Sequence, residues 1–306
     1  MQQKTPHPLL DLAYFILLAL ACALFAMFLG LLLAIPLFGL SLNQVMAAIT
    51  NFSVRPNIGL LKYFQVLQSL GLFVVPPLVY QYIWQKRTGI QYFNVALKPS
   101  PWIYAMAAAL IFAAMPVINL LAYLNESLSL PSALKGLELR LKTMEENAAV
   151  LTDLLLSGKS ATDLMVNLVM IALIPAVGEE LVFRGAIQTL LTRWFKNIHV
   201  GIIVSALLFS AIHMQFYGFV PRMLMGVMFG YLVFYTGTIW VSVVAHFTNN
   251  ALAVIVYYYM HGTMAYEKIE HLGVSKETWP ILLASAVLTC FFMLKYYQHH
   301  KISDLR

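Results

Sequence analysis

Long apolar runs separated by short polar stretches dominate the pattern along the chain. Runs free of Asp, Glu, Lys and Arg cover residues 12–54, 63–85, 99–125, 197–221, 223–266 and 278–294. A helix needs roughly 20 apolar residues to cross about 30 Å of hydrocarbon, so each run has the length of a membrane span. The 223–266 run has room for two spans, and Thr236-Gly237-Thr238 offers the turn between them. With the segment 161–193, which is apolar apart from a few charges, the pattern predicts an all-α, polytopic membrane helix bundle of about eight transmembrane helices. Between the third and fourth spans the periodicity changes. Leu134, Leu137, Leu141, Met144, Ala148, Leu151 and Leu155 recur at gaps of three and four, while Lys135, Glu138, Lys142, Glu145, Glu146 and Asp153 fall elsewhere. That is an amphipathic helix. It reads as a connector on the membrane surface, with a substrate gate or dimer contact as alternatives.

Composition agrees with this pattern. Of 306 residues, 61% are hydrophobic and 10% charged, and the mean hydropathy is +0.78; these values belong to an integral membrane protein. The net charge is +6, but the basic residues are too scattered for a nucleic-acid surface, so nucleic acid is excluded as a partner. Cys22 and Cys290 both lie in apolar runs and read as packing residues, with neither a disulfide framework nor a zinc knuckle. Residues 12–40 are too apolar over too great a length for a signal-peptide core and read as a retained span. With an even number of spans, both termini share a side with Lys4, Lys86, Arg87, Lys98, Arg193, Lys196, Lys295, Lys301 and Arg306. The positive-inside rule then puts both termini in the cytoplasm.

Against this background Glu179, Glu180 and Arg184 stand out, in the middle of a span. An ionisable residue there is a functional candidate by default. The next connection centres near Lys196, and Glu179 and His213 are each 17 residues from it. In an antiparallel hairpin of helices, residues equidistant from the turn share a depth, here about 25 Å of helix path from it. His246 lies nine residues past Gly237, roughly 13 Å from the same face, and Asn250 lies on the same helical face at i+4. Four polar groups from three helices are thus expected to converge. Glu180 and Arg184, also at i and i+4, are expected to neutralise each other, leaving Glu179, about 100° round the helix, free to address a cavity. Pro175 is expected to bend this helix. Gly226 and Gly230 read as a close helix contact within the bundle. His199, His261, His271, His299 and His300 read as solvated.

A Glu and a His at one depth can deprotonate a water, and a second His with an amide can bind the oxyanion of a tetrahedral intermediate. Glu179, His213 and His246 can equally hold a catalytic divalent ion such as zinc; the residues leave both open, so the cofactor is a divalent metal or none. Metalloprotease, serine-hydrolase and aspartyl-dyad patterns are absent.

Glu179-Glu180-Leu181-Val182-Phe183-Arg184 fits E-E-x-x-x-R, Phe209 to His213 fits F-x-x-x-H, and His246 to Asn250 fits H-x-x-x-N. In this order, on apolar helices, the three resemble the CPBP family of CAAX proteases and bacteriocin-processing enzymes, also called the Abi family. The resemblance implies a CAAX prenyl protease-like endopeptidase, of glutamate or metallo type. It would cut a membrane-embedded or lipidated peptide, with membrane lipid as its other partner. Carried over by motif, Glu179 and His213 would activate water, His246 and Asn250 would bind the oxyanion, and Glu180 with Arg184 would support the site. The expected organisation is an N-terminal part (1–160), a catalytic core (161–260) and a last span with a basic tail (261–306), in a bacterial inner membrane. A catalytically silent immunity or binding protein of the same fold is the alternative, and a proton-coupled transporter a third reading.

Overall fold

Wherever the computed structural model describes the chain, over residues 7–51, 57–88 and 99–304, the secondary structure is helical. Helix α1 (Pro8–Phe38) stops at Gly39, whose φ of 63° takes the backbone out of the helix. Ser41 and Gln44 then form a capping box that starts the short α2 (Leu42–Thr50). There follow α3 (Ile58–Ile83), α4 (Pro101–Glu126), the amphipathic α5 (Lys135–Leu156), α6 (Ala161–Phe195), α7 (Ile198–Ala211), α8 (Phe219–Thr236), α9 (Ile239–Met260), the short α10 (Met264–Glu270) and α11 (Trp279–Asp304). Seven of these, α1, α3, α4, α6, α8, α9 and α11, are long and apolar enough to cross a membrane. The expected eighth, α7, has 14 residues, about 21 Å. The chain is an integral membrane protein built as a polytopic helix bundle. Lys4, Lys98 and Arg306 lie outside the described residues, and of Lys86 and Arg87 only the helical backbone is described.

The expected break between the two spans of 223–266 falls at Gly237, with φ 68°, and Thr238 caps α9 by accepting from the Trp240 N–H. Around Pro175 the long helix responds differently from a simple bend. Its ladder widens to π geometry over Leu168–Leu173, just before the proline, and again over Leu181–Ile187, through the motif itself. A matching π turn, Leu70–Val74, precedes Pro76 and Pro77 in α3. Proline offers no N–H to the α ladder, and a wider turn is one way for the helix to continue.

Two apolar clusters flank the middle of the bundle. One joins Phe15, Tyr80, Phe183, Leu190 and Phe209 from α1, α3, α6 and α7; the other joins Leu110, Phe229, Leu232, Val241 and Tyr296 from α4, α8, α9 and α11. Helix α8 meets α7 closely because Gly226 and Gly230 carry no side chain: a Cβ at Gly230 would stand 2.8 Å from Ile202 Cγ2. The outer faces are apolar as lipid requires, with Leu24 of α1 and Leu283 of α11 strongly exposed. Cys290 also faces outward on α11, so it is not the packing residue expected.

Only the C-terminal half of the α5 stripe packs on the bundle: Leu155 is buried while Leu134, Leu137 and Met144 are exposed. Among the histidines expected to be solvated, His199 bonds to the Tyr231 hydroxyl at 2.8 Å. His261 stacks on Tyr257 and stands 3.5 Å from Asp153 of α5.

Candidate active site

Glu179 and Glu180 are adjacent, both buried, and differently employed. Glu180 Oε1 accepts from Arg184 Nη1 at 2.9 Å, the i, i+4 pair expected, and also from His246 Nδ1 at 3.0 Å. Arg184 completes its shell with Nη2 donating to the Gly226 carbonyl at 3.0 Å. Its guanidinium lies between the rings of Phe209 (4.7 Å) and Phe229 (5.4 Å), one from each apolar cluster. The absence of a side chain at Gly226 and Gly230 thus serves a second purpose. Their carbonyls are open to α6, and Gln188 Nε2 takes that of Gly230 at 3.4 Å.

Glu179 points the other way. Its Oε2 is 3.9 Å from His213 Nε2 and 3.8 Å from His246 Nε2. Both distances are too long for direct hydrogen bonds and short enough for a bridging molecule. Each imidazole is held by its other nitrogen. His213 Nδ1 lies 2.8 Å from the Phe209 carbonyl, which can only accept, so Nδ1 carries the proton. His246 Nδ1 donates to Glu180 in the same sense, and the ring stacks on Phe229 at 5.3 Å. The carboxylate therefore faces two imidazole Nε2 atoms from two other helices.

These groups line a cavity of about 490 Å³ together with Asn250, Asn249, Arg222 and, from α5, Ala148, Leu151, Thr152 and Leu155. Asn250 reaches the wall, but its Nδ2 donates to the Ile171 carbonyl at 3.3 Å, and its Oδ1 accepts from Asn249 at 3.1 Å. Pro175 supplies no i+4 donor to Ile171, and Asn250 takes that carbonyl instead. A second cavity, about 710 Å³ and walled mainly by apolar residues of α1, α3 and α6, also reaches Glu179 and His213. Arg222 escaped the sequence reading because it lies in no motif; Asn249, an x position of H-x-x-x-N, joins Asn250 at the wall. Glu179, His213 and His246 are the residues that would hold a divalent ion; among the described residues no group of three or more His, Cys, Asp or Glu side chains is gathered closely enough to do so as they stand.

The loop that carries His213 is fixed from outside the core. Asn125, near the end of α4, donates to the Phe216 carbonyl and accepts from the Val220 N–H, both at 2.8 Å, and Glu145 of α5 accepts from the Tyr217 N–H at 3.0 Å. Residues 161–252 match the Rce1-like family, the type II CAAX prenyl endopeptidases. The matched segment runs from the start of α6 into α9 and contains every motif residue from Glu179 to Asn250, so the resemblance read from the motifs holds. No curated protein and no solved structure matches the chain.

Proposed function

We propose that the protein is an intramembrane endopeptidase that hydrolyses a peptide bond of a membrane-associated or lipidated substrate with an activated water. The observation that carries this reading is the position of the Glu179 carboxylate, free of Arg184 and 3.9 Å from Nε2 of His213, whose Nδ1 is held by the Phe209 carbonyl, at the wall of a cavity. A water between the two donates one hydrogen to each and keeps a lone pair for the scissile carbonyl. Glu179 then holds the proton and returns it to the leaving amine. His246, with Nδ1 on Glu180, donates from Nε2 to the oxyanion when it is the imidazolium, and Glu180 is the counter-charge for that form. The Asn250 N–H not committed to Ile171 is the second donor. Glu180 and Arg184 fix the helix and His246 rather than react.

The family match supports CAAX-type proteolysis, and Glu179 working with His213 favours a glutamate-type mechanism. We take residues 161–260 as the catalytic core, and a bacterial inner membrane with both termini cytoplasmic as its setting. The test uses purified protein in micelles with an S-prenylated peptide. Glu179→Gln keeps the side-chain shape and removes the base, so cleavage should fall by at least about 10²-fold while the protein stays folded and monodisperse. Cleavage at the wild-type rate would refute the mechanism. An immunity protein needing no turnover would be indifferent to the change.

A further inference from the structure

The cavity contains one more ion that the mechanism above leaves unused. Arg222, in the first turn of α8, lines the same wall as Glu179, His213 and His246. Its guanidinium is positioned from two sides. Nη2 donates to Gln215 Oε1 at 2.5 Å, and Gly218 clears its space, since a Cβ there would stand 2.9 Å from Nη2. Nη1 is buried yet meets no acceptor among the described residues. None of the nearby acids hydrogen-bonds to it: Glu180 is taken by Arg184 and His246, Glu145 accepts from the Tyr217 N–H, and Glu179 faces the two imidazoles, so that Glu179 and Glu145 act on Arg222 only through their charge. A buried cationic N–H without an acceptor is unfavourable, so Nη1 is open to an acceptor arriving through the cavity.

We propose that Arg222 binds the carboxy-terminal carboxylate of the peptide substrate, making it the residue that selects a free chain end; this rests on the protease reading given above. A planar guanidinium suits a carboxylate. The cavity, at about 490 Å³, is within the range of those that enclose a small ligand. One end of the peptide is then anchored on α8 while an amide a few bonds away faces Glu179. The carboxylate's charge also sets the register, because sliding the chain by one residue would leave both charges unpaired.

The test compares an S-prenylated peptide with a free carboxy terminus and the same peptide amidated, in a non-ionic detergent free of lipid phosphate. Wild type should cleave the acid on the order of 10–100-fold better in kcat/KM, the range for a charge-assisted hydrogen bond. Arg222→Gln should bring the two peptides to within about threefold by lowering only the acid, and Arg222→Lys should restore part of the preference. Equal losses on both peptides, or an undiminished preference in Arg222→Gln, would overturn the proposal. Binding of the two peptides by fluorescence anisotropy separates the two hypotheses. If wild type cleaves neither peptide, proteolysis fails, while an acid preference in binding that Arg222→Gln abolishes still supports the carboxylate site, and its absence removes it.

Discussion

Glu180 and Arg184 form an ion pair that neither water nor lipid can relieve, with both side chains essentially inaccessible. The pair is therefore worth most when judged by what happens if half of it is removed. Arg184→Met leaves Glu180 buried with His246 as its remaining partner, and the prediction is a loss of about 3–5 kcal/mol. Glu180→Gln with Arg184→Met removes both charges and should be milder than the single change. Denaturation of the purified variants in mixed micelles checks this, and a double variant weaker than Arg184→Met would refute it. At this scale much was legible. The i, i+4 spacing of Glu180 and Arg184 is a helical property, and so is the equal distance of Glu179 and His213 from Lys196. The second partner of Glu180 was not, because His246 comes from a helix 66 residues away and its ring orientation depends on Phe229. Arg222 was hidden for a different reason: it lies in no motif, and Gln215 and Gly218 reach it only through the turn that follows α7.

The elements differ in how far their pattern determined them. The Gly237 break could be read because a flexible residue between two capping threonines is a local signal. The π turns in α6 could not, since they depend on how Pro175 is accommodated among neighbours, and they alter which faces of the motif look inward. Helix α5 was legible as amphipathic, but its role depends on what its stripe meets. Ala148, Leu151 and Leu155 cover the site cavity, and polar contacts hold the helix at two places: Glu145 to the Tyr217 N–H, and Asp153 to the Tyr257 hydroxyl and His261. Few buried contacts and exposed anchors make an element that opens before the bundle does. The prediction is that Asp153→Ala, which releases Tyr257 and His261 together, speeds amide hydrogen exchange across residues 146–156 several-fold and leaves α6 and α9 unchanged. Exchange read by mass spectrometry decides it; an unchanged α5, or a loosening spread over the whole bundle, would count against a separately opening cover.

For the whole molecule, the sidedness of the termini turns on whether α7 completes a crossing. At about 21 Å, its 14 residues are short for a span, and the seven longer helices taken alone would put the termini on opposite sides. The contacts at its two ends bear on the matter. Just beyond its C-terminal end, Phe216 and Val220 are tied to Asn125, the penultimate residue of α4, and Tyr217 to α5. At its N-terminal end His199 meets Tyr231 near the C-terminus of α8, and Arg193 just before it lies 3.6 Å from Asp11 at the start of α1. The antiparallel pairing of α4 and α11, through Tyr296 to Ile103 at 2.7 Å and Ser285 to Ala113 at 2.5 Å, orders the remaining ends in the same sense. Helix α7 thus runs from one end of the bundle to the other, and counted with the seven longer helices it would bring the crossings to an even eight. On that count Arg193, Lys196 and Lys295 share the side of the termini, which under the positive-inside rule would be the cytoplasmic side proposed above. The prediction is that tags on both termini are reached only from the cytoplasmic face, while a single cysteine placed at Gly158, in the link between α5 and α6, is labelled only from the opposite face by a membrane-impermeant maleimide in a Cys22→Ser/Cys290→Ser background. Termini labelled on opposite faces would mean that α7 turns back within the bilayer. Both termini facing outward would instead keep the eight crossings and show that α5 and the mouth of the cavity face the cytoplasm.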